Sequence, residues 1–275
     1  MKVSILRFLV LLLVTTSFSA HATDYYVDPS SSGANRGTYN DPWRDISDIP
    51  QFVNFFQPGD NVYFRRGQQY WGTLSINSSG REGAPITFMP YGEGAAPIFK
   101  YGSWNFKEPN IYDRVYIRLN QCNYIVIDGF EMSDYTIRDW DRSGTANVGY
   151  GVYIYKGSNN VIKNCTISRI GAGVNIGGGS YNTITNCSIR NLRMIINTSY
   201  QMWDDFGAVG IVVGGSNNTI THNQIQECWS NSYDYNLDGG AIEMYGEVSN
   251  NKILYNTASD NIGFMEFGSD WGGHA

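Results

Sequence analysis

The sequence predicts an all-β fold, a single-stranded parallel β-helix, on three observations. A ten-residue unit returns as SNNVIKNCTI from Ser158, SYNTITNCSI from Ser180, SNNTITHNQI from Ser216 and SNNKILYNTA from Ser249, and self-similarity of this kind marks a solenoid. Upstream of each copy runs a short alternating stretch bounded by glycine, such as GVYIY at 151 and GVNIG at 173, which reads as a strand with one buried face. The composition, with 31 glycines and 20 tyrosines in 275 residues, favours strands and turns over helices.

The chain opens with Lys2 and Arg7, an apolar core from Phe8 to Val14, and Ala20-His21-Ala22. A charged start, a short apolar run and a small-residue site describe a secretory signal peptide, because the run is too short to cross a bilayer. The expected organisation is therefore a leader over residues 1–22 and a β-helix domain over 23–275. The mature protein is expected to be a soluble monomer, secreted into the periplasm or the extracellular space, with no membrane insertion. Loss of Lys2 and Arg7 takes the formal charge from −6 to −8. An acidic chain with no basic run is a poor partner for nucleic acid, and a polyanionic ligand would need local positive charge or a metal ion. The four cysteines, Cys122, Cys165, Cys187 and Cys228, lack zinc-site spacing and read as structural.

Next comes SDIPQFVNFFQPGD. Asp48 followed by Gln51 resembles a capping box, Pro50 suits a first helical turn, and Ile49, Phe52, Val53 and Phe56 form a stripe at helical spacing. A short helix here would cover the open edge of the first coil, as a solenoid requires. The segments NVYF, GTLSI, ITFM and APIF follow as short strands.

The repeated coils align on Ile127, Ile162, Ile184, Ile220 and Ile253. The shortest spacing, 22 residues from Ile162 to Ile184, holds three short strands and three turns, which is one coil. Between the second and third strands stand Gly129, Asn164, Asn186, His222 and Tyr255. All but Tyr255 are types that tolerate a left-handed backbone. The following position, Phe130, Cys165, Cys187, Asn223 and Asn256, is expected to point inward and stack coil upon coil. The chain ends in NIGFMEFGSDWGGHA, which begins a new first strand without a cap. The expectation is an uncapped C-terminal end, either because the final coil is left open or because this chain is a fragment of a longer protein.

Three coils carry extra residues after the third strand, at 133–150, 190–206 and 229–238. Insertions at one repeat position leave the solenoid on one face, commonly the binding face. They supply Trp140, Trp203, Trp229 and Tyr233, with Asp139, Asp141, Asp204, Asp205, Asp234 and Asp238. Aromatic rings beside carboxylates suit a polysaccharide, which offers apolar ring faces and hydroxyls. The same rings can instead anchor the loops to the cylinder, and both readings stand at this point. Outward positions on the first strands are Tyr153, Asn175, Val212, Glu243 and Met265, with Glu266 alongside Met265 if the strand bulges. Glu243 lies five residues after Asp238 in NLDGGAIEM. These two carboxylates are the candidate acid and base for a glycosidic bond, or calcium ligands. Asp204, Asp205 and Asp234 form a second candidate calcium group. No Lys or Arg stands out as a lyase base.

The segments YYVDPSSSGANRGTYNDPWRDI, QPGDNVYFRRG and GAPITFMPYGEGAAPIF, with the SNN-x-I coils, resemble the exported right-handed parallel β-helix proteins of the pectate-lyase-like superfamily across nearly the whole mature chain. The resemblance implies a right-handed coil and a glycan groove on the outward face of the first strands, here Glu243, Asp238 and the tryptophan loops. It also implies calcium-dependent lyase chemistry, hydrolase chemistry, or binding and display alone. Of the polygalacturonase-type motifs, Asn236-Leu237-Asp238-Gly239 matches N-T-D-G loosely, Asp204-Asp205 lies upstream of it, and no G-H-G occurs. The expected function is cleavage of a glycan by lyase or hydrolase chemistry. The alternative is a non-catalytic glycan-binding or adhesion module.

Overall fold

A computed structural model describes residues 22–101, 114–136, 138 and 140–268. The leader assigned to residues 1–22 lies outside them except for Ala22, as do Asp139 and the last seven residues, on which the uncapped end was expected.

The chain winds into three parallel sheets, one of eight strands and two of seven. The first sheet runs from Leu74–Ile76 through Val115–Asn120, Tyr150–Tyr155, Ala172–Gly177, Val209–Val213 and Gly240–Tyr245 to Met265–Gly268. The second begins with Asp24–Val27 and carries the five aligned isoleucines in one column. Gln69–Trp71 opens the third, which ends at Thr257–Ser259. Alternation along each strand sends one set of side chains into a single core that runs the length of the cylinder.

All five turn residues between the second and third sheets have left-handed backbone, Gly129 at φ 77°, Asn164 at 55°, Asn186 at 53°, His222 at 57° and Tyr255 at 55°. Tyr255 adopts this conformation although its type does not favour it. The next column does point inward: Phe130, Cys165, Cys187 and Asn223 are buried, and Asn223 Nδ2 donates to Asn256 Oδ1 at 3.0 Å. The four cysteines are buried free thiols.

A second asparagine column, at the third residue of each SNN unit, was not read from the sequence. Asn160, Asn182 and Asn218 are fully buried, and Asn251 continues the column. Asn160 Nδ2 donates to Asn182 Oδ1 at 3.0 Å and Asn182 Nδ2 to Asn218 Oδ1 at 3.1 Å. Each side chain also bridges two backbone groups, so the turn's polar atoms are satisfied without water.

The expected capping helix over residues 48–56 is not formed. Pro50 disfavours helical backbone at the residue before it, and Ile49 is extended at φ −71°, ψ 125°. What forms instead is a single 3-10 turn, Ile46–Asp48, in which Asp45 is the N-cap and Asp48 closes the capping box. Of the supposed stripe, Ile49 and Phe56 are buried while Phe52 and Val53 are exposed. The end of the cylinder is nevertheless plugged. Tyr25 stacks on Trp43 with centroids 5.2 Å apart, and Phe56 packs edge-on to Phe88 at 5.5 Å.

Candidate functional site

The three long loops leave the cylinder between the third and first sheets. Two of them fold as small antiparallel hairpins, Met194–Ile196 with Phe206–Gly207 and Ser230–Ser232 with Asn236–Asp238. Two arginines tie the loops together. Arg193, fully buried, donates from Nε to Asp141 O at 2.6 Å and from Nη2 to Arg138 O at 3.1 Å. Arg142 donates to Trp229 O and to Glu227 Oε2, both at 2.9 Å, and its guanidinium lies 3.8 Å from the Trp229 ring centroid. Trp229 therefore serves as a loop anchor.

Between the loops and the outward face of the first sheet lies a cleft of about 630 Å³. Its floor is the column Tyr153, Asn175, Val212, Glu243 and Glu266, one residue from each successive strand. The last strand does not place Met265 outward. Met265 pairs with Ile242 and packs on the core, while Glu266 pairs with Glu243. The walls are Trp203, Asp204, Asp205, Tyr235, Asp238 and Tyr245. Trp203 and Tyr235 face each other at 5.9 Å. Gly177 makes room for the floor, since a Cβ there would sit 2.5 Å from the Tyr153 ring. Gly239, at φ 117° and with no space for a Cβ beside Ala208 O, lets the hairpin turn directly into the strand that carries Glu243.

Of the residues proposed from sequence, the cleft gathers Tyr153, Asn175, Trp203, Asp204, Asp205, Asp238 and Glu243. Tyr233 and Asp234 line a neighbouring hollow of about 240 Å³ that shares Trp203. Trp140 is exposed with Arg138 beside its ring, and Trp229 anchors the loops, so neither lines the cleft. Tyr235 and Tyr245 were missed. The signal for Tyr245 was available, because it follows Glu243 by two positions on the same face.

The carboxyls differ in environment. Burial pushes Glu243 up to about 7, and the charges of Glu266 and Asp238 add to the shift. No group among the described residues donates a hydrogen bond to it. Burial also raises Asp238 to about 6, against a 2.7 Å hydrogen bond donated by the Gly239 N–H, with Glu266, Asp205 and Asp234 raising it further. Asp205 goes the other way. Its burial is outweighed by hydrogen bonds from Ser232 Oγ–H at 2.7 Å and the Thr198 N–H at 2.8 Å, among others, which hold it below its ordinary value.

Asp204, Asp205 and Asp234 each bring a carboxylate oxygen within 4.8 Å of the others. Asp234 Oδ2 accepts from the Asp204 and Asp205 N–H groups at 2.9 and 3.1 Å, which leaves Oδ1 available. An all-oxygen, anionic donor set fits calcium in ligand type. Cationic side chains do not line the cleft among the described residues. Nor is any helix there long and apolar enough to cross a membrane.

A cylinder of parallel coils with an aromatic and acidic cleft on one face defines the molecule as a right-handed parallel β-helix protein. Residues 25–251 match the family described as the Pel9A-like, right handed beta helix region, and the chain belongs to that family. Among solved structures it is similar to a rhamnogalacturonan lyase, with 18% identity, TM-score 0.58, and coverage of 90% of this chain and 62% of that one. Pectate lyase Pel9A is similar at 21% identity and TM-score 0.54, over 83% and 54% of the two chains. The uncharacterized protein YwoF of Bacillus subtilis (strain 168) is 30% identical over 139 residues, which is 50% of this chain and 27% of that protein. The chain thus spans less than two thirds of each of these relatives.

Proposed function

We propose that this is an exported glycan-processing protein whose cleft cleaves a glycosidic bond by acid–base chemistry. The observation that carries the reading is one cleft holding two carboxyls, Glu243 near 7 and Asp238 near 6, beside Tyr153, Trp203, Tyr235 and Tyr245. Burial raises both, and the backbone hydrogen bond that Asp238 accepts and Glu243 lacks favours Asp238 as the ionised partner. Glu243 keeps its proton close to neutral pH and donates it to the glycosidic oxygen. Asp238 loses its proton first and accepts one from the attacking water. The rings supply flat apolar faces for the sugars. Names of similar proteins, rhamnogalacturonan lyase and pectate lyase Pel9A, support a glycan as ligand. A pair of carboxyls, one to donate and one to accept a proton, is the arrangement that hydrolysis of a glycosidic bond uses. Asp204, Asp205 and Asp234 would hold a calcium ion, which when bound supplies positive charge at the cleft wall and fixes the two hairpins relative to each other.

The test is incubation of the purified protein with a panel of polysaccharides, following new reducing ends and the ultraviolet absorbance of unsaturated products. New reducing ends without that absorbance are expected, with a bell-shaped pH dependence centred between the two carboxyl pKa values. Glu243→Gln and Asp238→Asn should each lower the rate by about 10²-fold or more while binding persists. Cleavage unchanged in both variants, or unsaturated products, would overturn the assignment, and binding without cleavage would make the protein a glycan-binding module.

A further inference from the structure

We propose that the hollow beyond Trp203 is a second sugar-binding subsite, which takes a pyranose unit of a glycan whose chain also runs through the cleft. The inference rests on the glycan reading above and adds that the protein engages an extended chain. Residues lining the hollow, which is about 240 Å³, include Ser199, Gln201, Met202, Trp203 and Tyr233. Trp203 is the one residue that it shares with the cleft. On the cleft side Tyr235 stands 5.9 Å from the Trp203 ring. Trp203 is thus the common wall of two spaces, and a chain that passes from one to the other crosses its ring.

The exposed rings here are not what holds the loops down. Asn197 joins all three loops: its Nδ2 donates to Ser143 O at 2.7 Å and to Asn231 O at 3.0 Å, and its Oδ1 accepts from the Tyr233 N–H at 3.3 Å. Beneath the hollow, the buried Asp205 carboxylate accepts from the Thr198 and Asp234 N–H groups at 2.8 and 3.0 Å. This frame is built from backbone groups and from Asn197 and Asp205. The side chains of Met202, Trp203 and Tyr233 take no part in it and are 74%, 69% and 66% exposed. Burial does not account for them, and large apolar side chains grouped on a surface mark an interaction site. A pyranose presents an apolar ring face, which stacks on an aromatic side chain, and hydroxyls around its edge. The hollow supplies partners for both, the Trp203 and Tyr233 rings for the face and the exposed Gln201 amide and Ser199 hydroxyl for the edge. Because the loops are already fixed to one another, little ordering cost opposes binding.

The test uses Glu243→Gln, in which cleavage is slowed, and oligosaccharide ladders of galactan, mannan, polygalacturonate and alginate from dimer to octamer, with calcium present. Calorimetry gives the affinity at each length. In the ladder that binds, affinity should climb in two stages, the second of about 10-fold and confined to the longer members. Tyr233→Ala in the same background should remove the second stage alone, and Tyr233→Phe, which keeps the ring, should retain most of it. With Tyr233 in place, the Met202 methyl NMR signal should shift on addition of long members and stay unmoved with short ones, a reading that does not depend on how any loop variant folds. A single-stage climb, a second stage that survives Tyr233→Ala, or a Met202 signal indifferent to length would overturn the subsite and leave the glycan reading intact. Equal loss at every length would make hollow and cleft one site and would overturn it too. Ladders with no binder at all would overturn both readings.

Discussion

Glu243 is placed at the expense of stability, and the size of that expense can be worked out. Its ordinary value of 4.5 rises to about 7 in the fold. Between those values the folded protein holds a proton that the unfolded chain has released, so stability falls as pH rises through this window and levels off above it. At about 1.4 kcal/mol for each pH unit, the ionised carboxylate weakens the fold at pH 8 by up to about 3 kcal/mol. At pH 5 the difference is under about 1 kcal/mol. Glu243→Gln removes the charge and preserves the shape. Urea denaturation of the two proteins should therefore find the variant more stable by about 2–3 kcal/mol at pH 8, with the two nearly matched at pH 5. A stability difference that does not change between pH 5 and pH 8 would refute the reasoning, and so would a Glu243 carboxyl that titrates in its ordinary range by NMR.

In the asparagine column, Asn182→Leu keeps the volume but strands Gly157 O and the Asn160 N–H, which Asn182 binds at 2.9 and 3.1 Å. A loss of roughly 3–5 kcal/mol is expected in chemical denaturation. Replacing Arg142 by Met removes the ring contact with Trp229 and the ion pair with Glu227. Hydrogen exchange should quicken in residues 140–150 and 229–238 while the sheet strands keep their protection. Calcium should raise the melting temperature of the wild-type protein at millimolar concentration. Asp234→Asn should abolish that increase, measured by differential scanning fluorimetry with and without chelator.

The coil was legible because its determinants are local. An isoleucine that must face inward and a turn residue that must accept a left-handed backbone recur at every copy, and Tyr255 shows that stacking in the ladder overrides residue preference. The end plug was misread because Ile49, Phe52, Val53 and Phe56 satisfy helical spacing, whereas Pro50 governs the backbone before it. Glu243 and Asp238 were legible as a pair because one lies on a strand whose register was known and the other on the loop entering it. The tryptophans were not separable by sequence. Trp203 lines the cleft and Trp229 lies under Arg142, a difference decided by contacts between loops more than 80 residues apart. Glu266 depended on whether one strand bulged, and the regular pairing of Glu243 with Glu266 decides it.

The asparagine column also has a direction. The Ile125, Asn160, Asn182 and Asn218 N–H groups each donate to the Oδ1 of the asparagine one coil later. The side-chain amides of Asn160, Asn182 and Asn251 reach back to Cys122 O, Gly157 O and Gly215 O of the preceding coil. Every arriving coil thus brings the group that closes the turn before it. A chain delivered N-terminus first, as synthesis delivers it, can set the aromatic plug and then wind, each coil finishing its predecessor while presenting one open turn to the residues still to come.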